Sequence, residues 1–383
     1  MSNESVLLVG EFSGVHSELR KALEHRHFSV CLVSDGDAYK KFPADVLLIK
    51  PKNKTKFGRY ITYISSIFGL NGIIAFLSSY KVWSKLKGFD IVQLINPAPL
   101  QDFGIISNYL FLRYLFKNNK KVFLSALGED YYWVKSCLDK KFRYSALDNL
   151  NRVNKKKYKY TLKHVTKKFK YLNDFCIKHC NAVIPGLYDY FVAYKWSEKC
   201  VQTIPLPIDS RRVAIYPIEI NNTERLIIFH GWQDGKELKK GNHIFDNVMN
   251  RIVDKYREKV EYRVVRNVPY SKYIELFSDC HIFLDQCYSY DKGVNALLGM
   301  AAGKVVFSGA EIEALDCYNF NFVDDIPLIN AEPNEEILFN QIEELILDRV
   351  RVHKISKAAL QFVENNHLSS DVLDKYLKVW REK

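Results

Sequence analysis

The residues with the clearest chemical potential fall in two stretches of the second half of the chain. In residues 281–309, HIFLDQCYSYDKGVNALLGMAAGKVVFSG, an apolar run at 282–284 is followed by a polar, aromatic loop at 285–292 and by Gly293. Apolar residues then recur at helical spacing over 294–302, and a β-branched run at 304–307 follows Gly303. This pattern predicts strand, loop, helix, strand. In a parallel α/β sheet the loop leaving a strand's carboxyl end faces the ligand crevice, and the next helix offers free N-terminal N–H groups to an anion. Asp285, Gln286, Tyr288, Tyr290 and Asn295 are the polar and aromatic groups placed there. The second stretch has an apolar run at 226–229, His230-Gly231-Trp232 at its end, and Lys239-Lys240-Gly241 before a helix predicted over 242–256. A lysine at a helix N-terminus adds a full positive charge to the partial charge of the helix dipole.

The elements that must position these groups alternate in type. In the first half, strands are expected at 6–9, 28–33, 45–49, 90–95, 121–125, 181–184 and 201–204, with helices near 15–24 and 105–116 and a short one between the second and third strands. In the second half, strands at 226–229, 260–265, 282–284 and 304–307 alternate with helices at 242–256, 269–280 and 294–302, and the chain is helical by period from Asn334 to Trp380. Such βαβ alternation predicts parallel sheets with helices on both faces. The 383 residues suffice for two cores. The proline-rich Pro205-Leu206-Pro207-Ile208-Asp209 reads as the hinge, giving one domain over 1–208, a second over 209–365, and a terminal helix over 366–383 that packs back on the first. The glycine loop Gly10-Glu11-Phe12-Ser13-Gly14 after the first strand is not a dinucleotide fingerprint.

Gly293, Met300, Ala301, Gly303, Lys304 and Val306 fit in register the run E-G-F-G-x-x-x-x-E-A-M-A-x-G-K-P-V of the GT-B glycosyltransferases, in particular the retaining nucleotide-sugar-dependent group. Lys240-Gly241 resembles the Lys-Gly of that family's donor-phosphate element, and 205–209 resembles its interdomain hinge. Two departures stand out. Tyr290 and Leu298 occupy the positions of the two family glutamates, which contact the donor's sugar and ribose, and the family's arginine is unmatched near Trp232 and Gln233, leaving Lys236 or Lys239 to supply its charge.

The resemblance implies an α/β protein of GT-B architecture, two Rossmann-like domains facing each other across a cleft. It implies hexosyl transfer from a nucleotide-sugar donor to a saccharide or polyprenyl-linked saccharide acceptor, of the kind found in bacterial surface-polysaccharide assembly. No metal or other cofactor is implied, because Lys240 and the helix N-termini stabilise the departing diphosphate. It places Gly14, Gly231, Lys240, Gly241, Asp285, Gln286, Tyr288, Tyr290 and Asn295 at the donor, and Asp130 and His16 at the acceptor. Asp130 also reads as a helix N-cap and His16 as an exposed polar residue. The missing glutamates keep open a non-catalytic GT-B-like protein that binds a saccharide or a partner.

The net charge of +12 is concentrated: residues 139–178 hold thirteen lysines and arginines against Asp139, Asp148 and Asp174. Tyr158, Tyr160, Phe169 and Tyr171 are interleaved with them, which suits an anionic membrane surface. No nucleic-acid-binding module accompanies the run, so nucleic acid is not the expected partner. Residues 60–80 carry no charge and are read as a helical part of the first domain rather than a membrane span, since the sheet pattern resumes at 90–95. Ser2 to Ser5 lead directly into the first strand without an export signal, so a cytoplasmic, peripherally membrane-bound location is expected. Cys176, His179 and Cys180 lie at helical spacing but lack the further ligands of a zinc site.

Overall fold

The computed structural model describes residues 4–35, 42–48, 55, 60, 63–65, 68, 70, 72–214, 216–221, 223–232, 234–266, 268, 270–318 and 326–383. The first sheet comprises β1 (Ser5–Val9), β2 (Ser29–Ser34), β3 (Val46–Leu47), β4 (Ile91–Leu94), β5 (Lys121–Ala126) and β6 (Val183–Pro185), ordered β3-β2-β1-β4-β5-β6. The second comprises β7 (Leu226–Trp232), β8 (Val260–Arg266), β9 (Ile282–Leu284), β10 (Val305–Ser308) and β11 (Ile329–Asn330), ordered β11-β10-β9-β7-β8. All pairings are parallel. These are the two doubly wound orders, each with a switch point beside its first strand where ligand crevices open.

The strands read as apolar runs because helices cover both faces. Leu7, Val9, Val92, Leu94, Val122 and Leu124 face one core with Phe76, Phe111 and Leu172. Their neighbours Val6, Leu8 and Phe123 face another, closed by Val372, Leu373, Tyr376, Leu377 and Trp380 of the terminal helix Ser369–Glu382. The Trp380 indole N–H donates to Gln93 Oε1 at 2.9 Å, so the end of the chain is tied into the first sheet.

Three sequence expectations need amendment or fall elsewhere. Residues 201–204 run beside β6 but form no strand of their own: Val201 and Ile204 donate to the carbonyls of Val183 and Pro185 at 3.0 and 2.9 Å around an isolated bridge of Val183 with Cys200, and Pro205 and Pro207 have no N–H to extend a ladder. β11 was not expected, because Pro327 and Pro333 on either side of it read as irregular chain. The short helix expected between β2 and β3 lies outside the described residues. Of the uncharged run at 60–80, Ile73–Ser78 is helical, and among the described residues no helix is long and apolar enough to cross a membrane.

The two halves are joined by a buried polar lock. Asp291, in the loop after β9, accepts hydrogen bonds from the backbone N–H of Tyr188 at 2.9 Å and from the Tyr318 hydroxyl at 3.0 Å. It thereby caps the helix Tyr188–Tyr194 of the first half. Asp189 of that helix returns the interaction, accepting from the N–H groups of Tyr290 at 3.3 Å and Asp291 at 3.1 Å. The ammonium of Lys292, with 0% of its side chain exposed, lies 2.9 Å from Asp291 Oδ1 and 3.5 Å from the centre of the Tyr318 ring. Burial, and then the charge of Asp291, push the Asp189 carboxyl up to about 7. Removing one member of a buried ion pair strands the other, at a cost of about 3–5 kcal/mol. Asp291→Ala is therefore expected to lose roughly that much unfolding free energy in urea titration. Lys292→Met is expected to lose less, since Asp291 keeps three hydroxyl and backbone donors. Equal, small losses in both variants would show that the lock carries little stability.

Candidate functional site

The loops at the carboxyl ends of β7 and β9 meet. Gly241 has φ +76° and ends the short helix Glu237–Lys240 while starting Asn242–Tyr256. A Cβ there would sit 2.1 Å from Cys287 Sγ and 3.2 Å from the Tyr288 ring, so only glycine lets the two loops close on each other. The Cys287 N–H donates to the Lys240 carbonyl at 2.9 Å. The Lys240 ammonium is 2.7 Å from Asp285 Oδ1, and Asp285 Oδ2 accepts from the Ser308 hydroxyl at 3.1 Å. Asp285 is nearly buried, so the charge of Lys240 is already opposed by a fixed carboxylate.

His230, at the end of β7, is fully buried between Tyr262, whose hydroxyl oxygen is 2.7 Å from Nδ1, and Asn242, whose Nδ2 is 2.7 Å from Nε2. Burial, Lys240 and Arg266 hold this imidazole down at about 3, so it is neutral. Neither Asn242–Tyr256 nor Val294–Ala301 has a side-chain cap, and both begin at the crevice with free N–H groups. Asn295 is exposed in the first turn of the second of these helices, and Gln286 is half-buried. Gly231 is a strand residue against which the Tyr273 hydroxyl packs, 2.8 Å from where a Cβ would lie. Gln233 lies outside the described residues.

Tyr288 and Tyr290 face the other domain. The Tyr290 hydroxyl accepts the Arg143 N–H at 2.6 Å, and the Arg143 guanidinium lies 4.7 Å from its ring centre. Tyr288 reaches Asn149 at 3.4 Å. Around them, residues 140–165 form a strap from the first half to the second. Arg143 pairs with Glu311 and Glu313, Tyr144 donates to Glu311, the Asn149 amide donates to the Leu238 carbonyl at 2.8 Å, and Lys157 pairs with Glu237 at 3.2 Å. The tyrosine at the family's glutamate position is thus packed into the domain interface.

On the first sheet, Asp130 caps the helix Tyr131–Leu138: Oδ1 accepts from the Trp133 N–H at 2.8 Å and Oδ2 from the Tyr194 hydroxyl at 2.7 Å. It is buried, and desolvation pushes its carboxyl up to about 6. Its neighbour Glu129 points the other way, into the space between the halves. Glu129 lies 2.6 Å from the Lys239 ammonium and 3.7 Å from His164 Nδ1, and Lys239 also donates to the Thr161 hydroxyl. The sequence does not announce this constellation, whose two charged members lie 110 positions apart.

His16 is buried rather than exposed. Its Nδ1 is 2.8 Å from the Gly10 carbonyl, and burial holds the ring neutral, with its pKa down at about 4. The tautomer with Nδ1–H leaves Nε2 as an acceptor, and Nε2 has no partner among the described residues. Gly14, at φ +88°, starts the helix Val15–His25, but the N-terminus of that helix is occupied by Glu11, which accepts from Ser17 N–H at 2.8 Å and from its hydroxyl at 2.6 Å. Gly14 therefore shapes the turn while Glu11 fills the anion position. The structure thus brings Lys240, Gly241, Asp285 and Tyr288 together, sets Glu129 and Lys239 across the interface from each other, and keeps Asp130 apart in a cap.

No protein-family model matches the sequence, and no curated protein sequence matches it either. Solved structures do resemble it. HepE of Anabaena, in complex with UDP and glucose, superposes with a TM-score of 0.59 at 10% identity, over 99% of this chain and 100% of that one. Sucrose-phosphate synthase of Thermosynechococcus elongatus gives 0.59 at 12% identity, over 99% and 98%. The UDP-GlcNAc 2-epimerase of Neisseria meningitidis, bound to UDP-GlcNAc, gives 0.51 at 10% identity, over 99% and 100%. With two parallel doubly wound sheets and full-length superposition on such structures, the chain has the fold of the GT-B glycosyltransferases.

Proposed function

We propose that this chain transfers a hexose from a nucleotide-sugar donor to a saccharide or polyprenyl-linked saccharide, serving bacterial surface-polysaccharide assembly from the cytoplasmic side of the membrane. The observation that carries the reading is the junction of Lys240-Gly241 with the 285–288 loop, at the carboxyl ends of β7 and β9. Parallel α/β sheets bind ligands at this place, and the free N–H groups of Asn242–Tyr256 and Val294–Ala301 add partial positive charge to that of Lys240. As the bond from the anomeric carbon to the diphosphate breaks, negative charge grows on the leaving oxygen, and Lys240 is placed to balance it without a metal or other cofactor.

The acceptor hydroxyl then forms its C–O bond to the anomeric carbon. Its proton goes to Glu129, which takes the orienting role otherwise read for Asp130, while His16, neutral and buried in the first turn of the helix Val15–His25, stands behind the same crevice with Nε2 unpartnered among the described residues. A diphosphate that draws Lys239 toward itself releases Glu129 for the acceptor, so donor binds first in this scheme.

One rival reading has support of its own. Tyr290 lies in the domain interface and Lys240 is paired with Asp285, an arrangement that also fits a protein that keeps the fold for saccharide or partner binding without transfer.

Calorimetric titration with UDP, GDP, ADP and CMP separates the two. One nucleotide is expected to bind saturably, and Lys240→Ala to weaken it by about tenfold or more, the worth of a hydrogen bond to a charged group. If none binds, the non-catalytic reading takes precedence. With the donor known, Glu129→Gln is expected to lower kcat by about 10²–10⁴ with little change in nucleotide affinity. A kcat within a few-fold of the parent would reduce Glu129 to a partner that merely holds Lys239.

A further inference from the structure

Ile73–Ser78, Tyr80–Trp83, Ile105–Asn118 and Lys167–His179 lie side by side over one face of the first sheet. Ring contacts join them: Phe76 to Phe111 at 6.0 Å, Trp83 to Tyr114 at 5.2 Å, and Tyr109 to Tyr171 at 5.7 Å. Phe76 packs inward, yet the outer side of the layer is apolar too. Ile74 is 81% exposed, Leu77 52%, Tyr80 63% and Tyr171 58%. A helix on a water-facing surface ordinarily turns polar residues outward, so apolar side chains on both sides call for a second apolar environment.

The charges around this patch are mostly positive, Asp174 of Lys167–His179 being paired with Lys170. Residues 60–89 and 103–128 contain no Asp or Glu, and Lys81, Lys85, Lys87, Arg113 and Lys117 are exposed there. Residues 149–173 likewise hold eight lysines and Arg152 with no acid. Lys81, Lys85 and Lys117 are exposed on the outer side of this layer, where they can meet an anionic partner.

We infer that this face docks on a lipid bilayer bearing anionic headgroups. Ile74 and Leu77 enter the acyl boundary, Tyr80 and Tyr171 sit at headgroup level, and the cations meet lipid phosphates. A nucleic acid would engage the lysines and leave Ile74 and Leu77 in water, which favours the bilayer.

The patch borders the mouth of the crevice. Phe76 packs 5.9 Å from Phe103, and the Tyr160 hydroxyl donates to Gln101 at 3.2 Å, both in the loop at the carboxyl end of β4. On the transfer reading, a lipid-linked acceptor seated in the bilayer would present its headgroup toward Glu129.

The test needs no donor or acceptor, so its outcome is separate from that of the transferase reading. The full chain is sedimented with vesicles of phosphatidylcholine alone and of phosphatidylcholine with about one-third phosphatidylglycerol. Binding is expected only to the anionic vesicles and to weaken with salt. Removing Lys81 and Lys85 together, as alanines, is expected to lower the partition coefficient roughly 25-fold, about fivefold for each cation. Ile74→Ser with Leu77→Ser is expected to lower it by roughly tenfold or more, with an unchanged unfolding temperature confirming the fold. Two results would overturn the inference: no binding to anionic vesicles at low salt, or binding that survives the double serine variant and is displaced by duplex DNA, the mark of a general polyanion site.

Discussion

The placement of the candidate site depends on a reciprocal cap across the domain interface. Asp291 of the second half satisfies the N-terminus of a helix in the first, and Asp189 of that helix satisfies the backbone of the loop that carries Asp291. Three ionisable groups are thereby taken out of water, which is unfavourable unless each lone pair and proton finds a partner. Here the partners are backbone N–H groups, the Tyr318 hydroxyl and the Lys292 ammonium. These contacts hold the halves in the relative position seen. The loop it fixes begins with Asp285 and Cys287, so the same contact sets where Lys240 and Gly241 stand relative to the first sheet.

The electrostatics of the crevice follow from that placement. Each lysine facing it is met by a carboxylate: Lys240 by Asp285 and Lys239 by Glu129. Two such pairs in a partly desolvated space lower the cost of holding cations close together, and they also set a threshold for any anionic ligand, which must outcompete a carboxylate already in contact. His230 beside them is kept neutral by burial and by Lys240 itself, so it adds no positive charge at neutral pH. A polyvalent ligand that also uses the helix N-termini has an advantage over a simple anion at such a site, because it makes several contacts for each one it displaces.

The fold was legible because its signals are local and repeated. Apolar runs marked ten of the eleven strands, and the period from Asn334 onward marked the terminal helices. β11 sits between Pro327 and Pro333, which read as irregular chain, and the 201–204 run looked like a strand because it does lie along β6, to which Val201 and Ile204 donate, although Pro205 and Pro207 keep the ladder from continuing. The site was legible in half. Lys240 and Gly241 announced themselves by position before a helix, since cap chemistry is local. The pairing of Lys239 with Glu129 spans 110 residues, and the interfacial burial of Tyr290 depends on Arg143, 147 residues away. Contacts of that range are set by the relative placement of two domains, which no local pattern encodes.

The lysine-rich segment shows why charge runs resist a single interpretation. Its carboxylate-facing side is structural: Arg143 reaches Glu311 and Glu313, and Lys157 reaches Glu237, so part of the positive charge serves to hold the strap against an acidic edge of the second domain. Its other side, with Lys155, Lys156, Lys159 and Lys167 exposed, faces solvent. Partly exposed pairs of this kind are individually weak, about 0–1 kcal/mol. The strap is held by several of them together, and by a buried glutamate that accepts from Tyr144, so its hold on the second domain is a sum of small terms rather than one strong one. A polyanionic surface that draws on the outer lysines acts on the same segment that covers Tyr288 and Tyr290.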